Sequence, residues 1–269
     1  MSSVFKVFLR GRLHDGQQIA VKRFSKDAWP DEEQFREKAI AVGRLRHRRL
    51  VNLIGYCCHE NERLLVAEFM PNNSLARHLF NVKTKIMERS RCLKVACYIA
   101  EALEYCIKEH ALYYDLNPHK VLFDEASNPC LSCFGLVKNL EDARCFHTNI
   151  AYTPPGCVYG MTSAKSMIYS FGILLRDLLR GKQISNEQAM DAILGTSIPI
   201  VMDSRLWAKC SAEVATALLE LAYHCLQYKP IDRPSIKDVI ATLAQIQSNA
   251  AGLGQHKTTP MHVGNSEAS

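Results

Sequence analysis

The period of the apolar positions changes near residue 70. From Gln17 to Phe24 the chain reads Q-Q-I-A-V-K-R-F, β-branched and alternating. This predicts a strand with Ile19 and Val21 on one face and Ala20 and Lys22 on the other. Pro30 and the acids Asp31, Glu32 and Glu33 then mark a helix start, because carboxylates favour the positive end of the macrodipole. Phe35, Ala39, Val42 and Leu45 recur at helical spacing as its buried stripe. Leu64–Phe69 is a second apolar strand, closed by the turn Pro71-Asn72-Asn73-Ser74. Past that turn the period is helical. Leu93, Ala96, Ala100, Leu103 and Ile107 share one face, and the run Ser170–Leu179 stops at Gly181, a residue suited to a left-handed cap. Glu213–Leu226 and Pro234–Ile246 predict two more helices, the latter opened by Ser235 and Asp238 spaced as a capping box. The pattern predicts an α+β protein with a strand-rich lobe over 1–69 and a larger helical lobe over 70–247. The stretch 248–269, rich in Ser, Asn, Gly and Thr, is expected to be a disordered tail.

Composition narrows the function classes without choosing one. The chain has 269 residues, 48% of them hydrophobic, which suits a folded domain. A net charge of +6 fits an acidic partner or membrane surface but is too small to argue for nucleic acid. The 11 cysteines are odd in number and scattered, which reads as reduced intracellular thiols. The one C-x-x-C, Cys130 to Cys133, lies in an apparent strand where residues three apart face opposite ways, so a redox or zinc site is not expected. No apolar run is long enough to span a bilayer, and Met1-Ser2-Ser3 lacks the glycine that myristoylation requires. Membrane association is therefore expected only through partners, from the cytoplasm.

A family resemblance rests on several motifs in order. Ile19-Ala20-Val21-Lys22 is similar to the lysine strand of protein kinases. Tyr113-Tyr114-Asp115-Leu116-Asn117 stands where H-R-D-L-K belongs, and Cys133-Phe134-Gly135 where D-F-G belongs. Tyr152-Thr153-Pro154-Pro155-Gly156 takes the place of the A-P-E stretch, followed by Ile168-Tyr169-Ser170-Phe171-Gly172 and Asp232-Arg233-Pro234. More narrowly, Ala28-Trp29-Pro30-Asp31, the run Leu64–Asn72 and Leu131–Leu136 resemble plant brassinosteroid-signalling kinases, which act below a receptor kinase. The resemblance implies a bilobal protein-kinase-like fold from about Gly11 to Gln247, with the first strand of the small lobe missing. It also implies an upstream receptor kinase and a downstream phosphatase or kinase as partners. That family's acylation signal and helical-repeat region have no counterpart in these 269 residues.

The same resemblance assigns the site, and the departures from it decide the chemistry. Lys22 would hold nucleotide phosphates, paired with Glu37 on the following helix, and Asp115 stands at the base position. Ala67, at the gatekeeper position, with Glu68 and Met70 beside it, would line the adenine pocket. The magnesium ligands are replaced by Cys133, a soft thiol, and Lys120, a fixed cation, while Asn117 replaces the catalytic-loop lysine. Losing both metal ligands should cost roughly a thousandfold in rate or more. Ahead of the lysine strand only Ser3-Val4-Phe5-Lys6-Val7 precedes Gly11, so the phosphate-covering glycine loop is expected to be absent. Lys120 could act as a built-in cation, giving nucleotide binding without magnesium. No cofactor is expected to be required.

Supports of the fold are altered too. Gly156 replaces the A-P-E glutamate and is expected to leave Arg233 without its partner, Met167 replaces an aspartate, and Tyr114 replaces the phosphate-reading arginine. Three readings stand at this point: a pseudokinase scaffold, a weakly active serine/threonine kinase, and a non-functional truncated paralogue. Arg44, Arg46, His47, Arg48 and Arg49 form a basic patch, either a solvated loop or a docking surface for an acidic or phosphorylated partner. Thr258 and Thr259 before Pro260 are weak phosphorylation candidates.

Overall fold

The computed structural model describes residues 7–255 apart from 25–28, 30, 61, 81–86, 114–115, 139–149, 160–162, 196, 204–206 and 208–210. A four-stranded antiparallel sheet opens the chain: β1 (Val7–Arg12), β2 (Gln18–Phe24), β3 (Leu53–Cys57) and β4 (Arg63–Glu68), in the order β1-β2-β4-β3. The hydrophobic pattern anticipates β2 and β4 but assigns neither β1 nor β3. Both are sheet edges, and their short runs V-F-L-R-G-R and L-I-G-Y-C, each broken by a glycine, carry no clean period-two alternation. Gly11 on β1 faces the Ile19 side chain, where an added Cβ would sit 3.2 Å from it. The residues ahead of Val7, where a phosphate-covering loop would lie, are outside the described part.

Helix α1 (Glu32–Gly43) packs on this sheet. Its N-cap Asp31 accepts from the Gln34 amide, and Phe35, Ala39 and Val42 form its buried stripe as the spacing predicts. Phe24, Trp29 and Phe35 pack edge to face with centroids 5.6–6.4 Å apart, fastening α1 to the end of β2.

The second lobe is helical: α2 (Leu75–Phe80), α3 (Arg89–Lys108), α4 (Ala164–Arg180), α5 (Asn186–Ile193), α6 (Ala212–Cys225) and α7 (Ile236–Gln255). Two short ribbons, β5 (Ala111–Tyr113) with β8 (Leu136–Lys138) and β6 (Val121–Phe123) with β7 (Pro129–Leu131), lie against it. Helix α4 ends at Gly181 with φ +68, the left-handed cap the sequence predicts. The Ser235–Asp238 box closes as expected, with Ser235 N to Asp238 Oδ2 at 2.9 Å and Asp238 N to Ser235 Oγ at 3.2 Å. Helix α7 runs on to Gln255 rather than stopping near 247; Ala250, a strong helix former, packs against the core there. No helix among the described residues is long and apolar enough to cross a membrane.

Arg233 corrects the expectation of a stranded cation. It is buried, and Nε, Nη1 and Nη2 donate to the carbonyls of Gln227, Lys165 and Tyr228 at 2.7, 2.9 and 2.7 Å. Its guanidinium also lies 4.8 Å from the Tyr169 ring centroid. Backbone acceptors and an aromatic face thus take the role that Gly156 cannot fill. Met167 is likewise no defect, since its side chain is packed in the main core.

Candidate active site

The cleft between the two lobes is built from β2, β4, α1 and the turn Cys133–Gly135. Lys22 lies mid-strand on β2 and is only 3% exposed. Its Nζ donates to the Phe134 carbonyl at 3.3 Å and lies 4.5 Å from the Phe24 ring centroid and 5.6 Å from that of Phe134. A buried ammonium needs such partners to offset its lost hydration.

Helix phase decides which side of α1 each charge takes. Starting from buried Phe35, Ala39 lies about 40° and Val42 about 340° round α1, so Lys38 at about 300° borders the buried stripe while Glu37 at about 200° lies opposite it. Glu37 is accordingly exposed, and the described ion pairs do not join it to Lys22. Lys38 turns inward instead, its Nζ 4.9 Å from the Trp29 ring centroid. The inward side of α1 therefore offers a second cation where a carboxylate was expected. The phase of Phe35, Ala39 and Val42 was the signal that could have found Lys38 from sequence.

The turn after β7 is held by Tyr113 at the end of β5. Its hydroxyl donates to the Ser132 carbonyl at 2.8 Å. The ring covers Gly135 so closely that an added Cβ would stand 2.5 Å from Tyr113 Cζ. Ser132 caps the turn by accepting from the Phe134 amide. Burial pushes the Cys133 thiol up to about 12, with Lys22 and Lys120 pulling weakly the other way. At neutral pH Cys133 is a neutral thiol, without the charge that a hard divalent cation requires.

Magnesium is thus a poor fit to this donor set. Among the described residues, no group of three His, Cys, Asp or Glu could hold a metal ion. Lys120 sits in the loop before β6, its carbonyl accepting from the Ser132 amide at 2.8 Å, and Asn117 is buried beside it with Oδ1 accepting from the His119 amide. Tyr114 and Asp115 lie outside the described residues, as do Thr258 and Thr259.

On the adenine side, Ala67 is fully buried on β4 opposite Ala20 of β2. Glu68 is tied to the lobe, its carboxylate accepting from Asn52 Nδ2 at 2.9 Å and from the Asn52 amide at 3.2 Å. Met70 is partly buried and packs against the main core. The structure brings Lys22, Phe134 and the neighbourhood of Cys133 together and leaves Glu37 apart.

The protein kinase domain family matches residues 1–243. The chain belongs to the protein kinase family. Its relatives include the serine/threonine-protein kinase BSK1 of Arabidopsis thaliana, 53% identical over 90% of this chain and 48% of the relative. BSK1-2 of Oryza sativa subsp. japonica is 51% identical over 92% and 48%, and BSK4 of Arabidopsis thaliana 49% over 90% and 51%. The chain therefore spans about half the length of these relatives. The narrower resemblance read from Ala28–Asp31, Leu64–Asn72 and Leu131–Leu136 agrees with these BSK kinases.

The basic patch belongs to the same kinase fold but not to the cleft. His47 stacks on Tyr105, centroids 4.8 Å apart at 11°, and the Arg46 amide donates to the Tyr105 hydroxyl at 3.0 Å. The Arg49 carbonyl accepts from the Leu131 amide at 2.7 Å. Part of the patch thus fastens the loop after α1 to α3 and β7, while the side chains of Arg44, Arg46 and Arg48 are exposed. Burial lowers the His47 pKa, and the neighbouring Arg48 and Arg49 add to that, so His47 adds no charge at neutral pH.

Proposed function

We propose that the protein is a pseudokinase that serves as a scaffold in plant receptor-kinase signalling of the brassinosteroid type. The observation that carries this reading is the captive state of Lys22. Its ammonium is held by the Phe134 carbonyl and two aromatic rings, and the acid expected to pair with it, Glu37, lies on the exposed side of α1. A lysine held in this way has to leave the Phe134 carbonyl before it can reach a nucleotide's phosphates, and the neutral Cys133 thiol does not favour magnesium. Phosphoryl transfer depends on positioning and charge stabilisation, whereas binding through a kinase-sized surface needs neither. The partners under this reading are a receptor kinase upstream and a phosphatase or kinase downstream, met at the inner face of the plasma membrane from the cytoplasm. The named BSK relatives support the pathway.

The test is phosphotransfer from radiolabelled ATP with magnesium or manganese, using the wild-type chain and Asp115→Asn. No incorporation above the Asp115→Asn control is expected, together with co-sedimentation of the chain with a receptor-kinase cytoplasmic domain. Incorporation abolished by Asp115→Asn would establish the weak serine/threonine kinase instead.

A second reading concerns ATP. Lys22 Nζ donates to the Phe134 carbonyl and the Lys120 carbonyl accepts from the Ser132 amide, so both residues are tied to the immediate neighbours of Cys133, where a metal ligand is missing. This arrangement supports a reading in which ATP binds without magnesium, with Lys120 meeting phosphate. Thermal unfolding with ATP at about a hundred times its dissociation constant should show ~2.7 kcal/mol of stabilisation that EDTA leaves intact and Lys120→Glu removes. A shift that requires magnesium would overturn this reading.

A further inference from the structure

We propose that Arg48 and Arg49 of the loop after α1, with Lys94 of α3, form a docking site for a phosphorylated segment of a partner protein. The inference deepens the scaffold reading and rests on it, because a scaffold needs a partner surface away from the cleft.

The three cations converge on one helix face. Arg48 Nη2 and Arg49 Nε both donate to Glu101 Oε2, at 3.1 and 3.0 Å. The Arg49 guanidinium lies 3.1 Å above the Tyr98 ring centroid, and the Lys94 ammonium is 5.4 Å from the same ring. Three positive charges against the single carboxylate of Glu101 leave a surplus of two. A phosphate monoester carries about −1.5 to −2 at neutral pH, so it matches that surplus, while an ordinary side-chain carboxylate would leave half of it.

Presentation favours a ligand as well as charge does. Glu101 takes one donor from each guanidinium, and the Arg48 side chain is 70% exposed, leaving the rest of its planar fork for bidentate contact with an oxyanion. Arg49, 12% exposed and stacked on Tyr98, is already immobilised. The loop itself is pinned by the His47–Tyr105 stack and by the Leu131 amide on the Arg49 carbonyl. Preformed guanidiniums reduce the ordering cost of binding. A compact cluster around one ring suits a single phosphate better than a membrane, which rewards basic residues spread over a wide surface.

The test is fluorescence anisotropy with a labelled phosphothreonine peptide flanked by glycines, its unphosphorylated twin, and phosphatidylserine vesicles. The phosphopeptide should bind at least about tenfold more tightly than its twin, and more weakly as salt rises. Arg48→Glu should remove about tenfold or more of that affinity, with Arg48→Glu/Lys94→Glu removing more. Because Arg48 is largely exposed, Arg48→Glu should unfold at the wild-type temperature, which separates lost binding from lost folding. Equal affinity for both peptides, an unchanged affinity in Arg48→Glu, or binding to vesicles alone would overturn the proposal. The phosphotransfer assay runs independently. Activity with intact phosphopeptide binding would remove the scaffold reading and keep the site, and absence of both would remove the site alone.

Discussion

Replacing Arg233 by methionine tests whether the chain has adapted to the loss of its A-P-E glutamate or merely tolerates it. The side chain is 2% exposed and donates to three carbonyls at 2.7–2.9 Å. Arg233→Met keeps much of the volume but leaves the carbonyls of Gln227, Lys165 and Tyr228 without that donor. An unsatisfied buried acceptor costs about 1–3 kcal/mol, which would give roughly 3–9 kcal/mol for three. Tyr228 and its neighbours form an exposed turn, so water can reach some of these oxygens and the lower end applies, about 3 kcal/mol. Burial also lowers the Arg233 pKa, a sign that its charge is held at a desolvation cost which the carbonyls and the Tyr169 ring must offset. Urea unfolding of both proteins measures the difference as a change in midpoint at constant m-value. A loss of about 3 kcal/mol would be a large share of the ~5–15 kcal/mol typical of a native domain. A change below about 1 kcal/mol would refute the reasoning, because a stranded arginine costs little to remove. Gly156→Glu supplies the control: with Arg233 already satisfied, restoring the glutamate should bring no gain in midpoint.

Other predictions concern the cleft and the thiols. Lys38→Glu places a carboxylate on the inward side of α1, so it should draw Lys22 from the Phe134 carbonyl and increase the ATP-dependent rise in unfolding temperature; Glu37→Gln, on the exposed side, should leave that rise unchanged. Gly135→Ala drives a methyl group into the Tyr113 ring and should destabilise the chain by about 1–3 kcal/mol in chemical unfolding, with partial recovery when Tyr113 is also shortened to leucine. Burial pushes Cys92, Cys106, Cys133 and Cys225 up to about 12, so at pH 8 their thiolate fractions are small, and alkylation read by mass spectrometry should reach the half-buried Cys57 and Cys58 before these four. Raising the pH toward 12 should speed labelling of the buried four, since the thiolate population grows as pH rises through the pKa.

Much of the architecture was legible in the sequence because periodicity is a local property. The buried stripe of α1, the Gly181 cap of α4 and the Ser235–Asp238 box of α7 each follow from residues within a turn or two of one another. The order of the motifs, from Lys22 through Cys133-Phe134-Gly135 to Arg233, placed the chain among kinases before any contact was known. The replacement of a carboxylate by the soft thiol of Cys133 was legible too, because it depends on the residue type alone.

What the tertiary structure decided was which groups meet. Counting along the chain put Glu37 at the expected acid position, although the phase of Phe35, Ala39 and Val42 already turns it outward; that the Lys38 ammonium lies over the Trp29 ring is what only packing decides. Arg233 read as stranded, because backbone carbonyls are present at every residue and carry no sequence signature. The arginine run after α1 read as one basic patch, yet Tyr98, Glu101 and Tyr105 on α3, more than forty positions later, divide it into residues that fasten the loop and residues that stay exposed. Sequence pattern reports burial and residue chemistry, which act over one or two turns. Partner choice at a buried charge depends on distances of a few ångströms between distant segments, and those exist only once the lobes have packed.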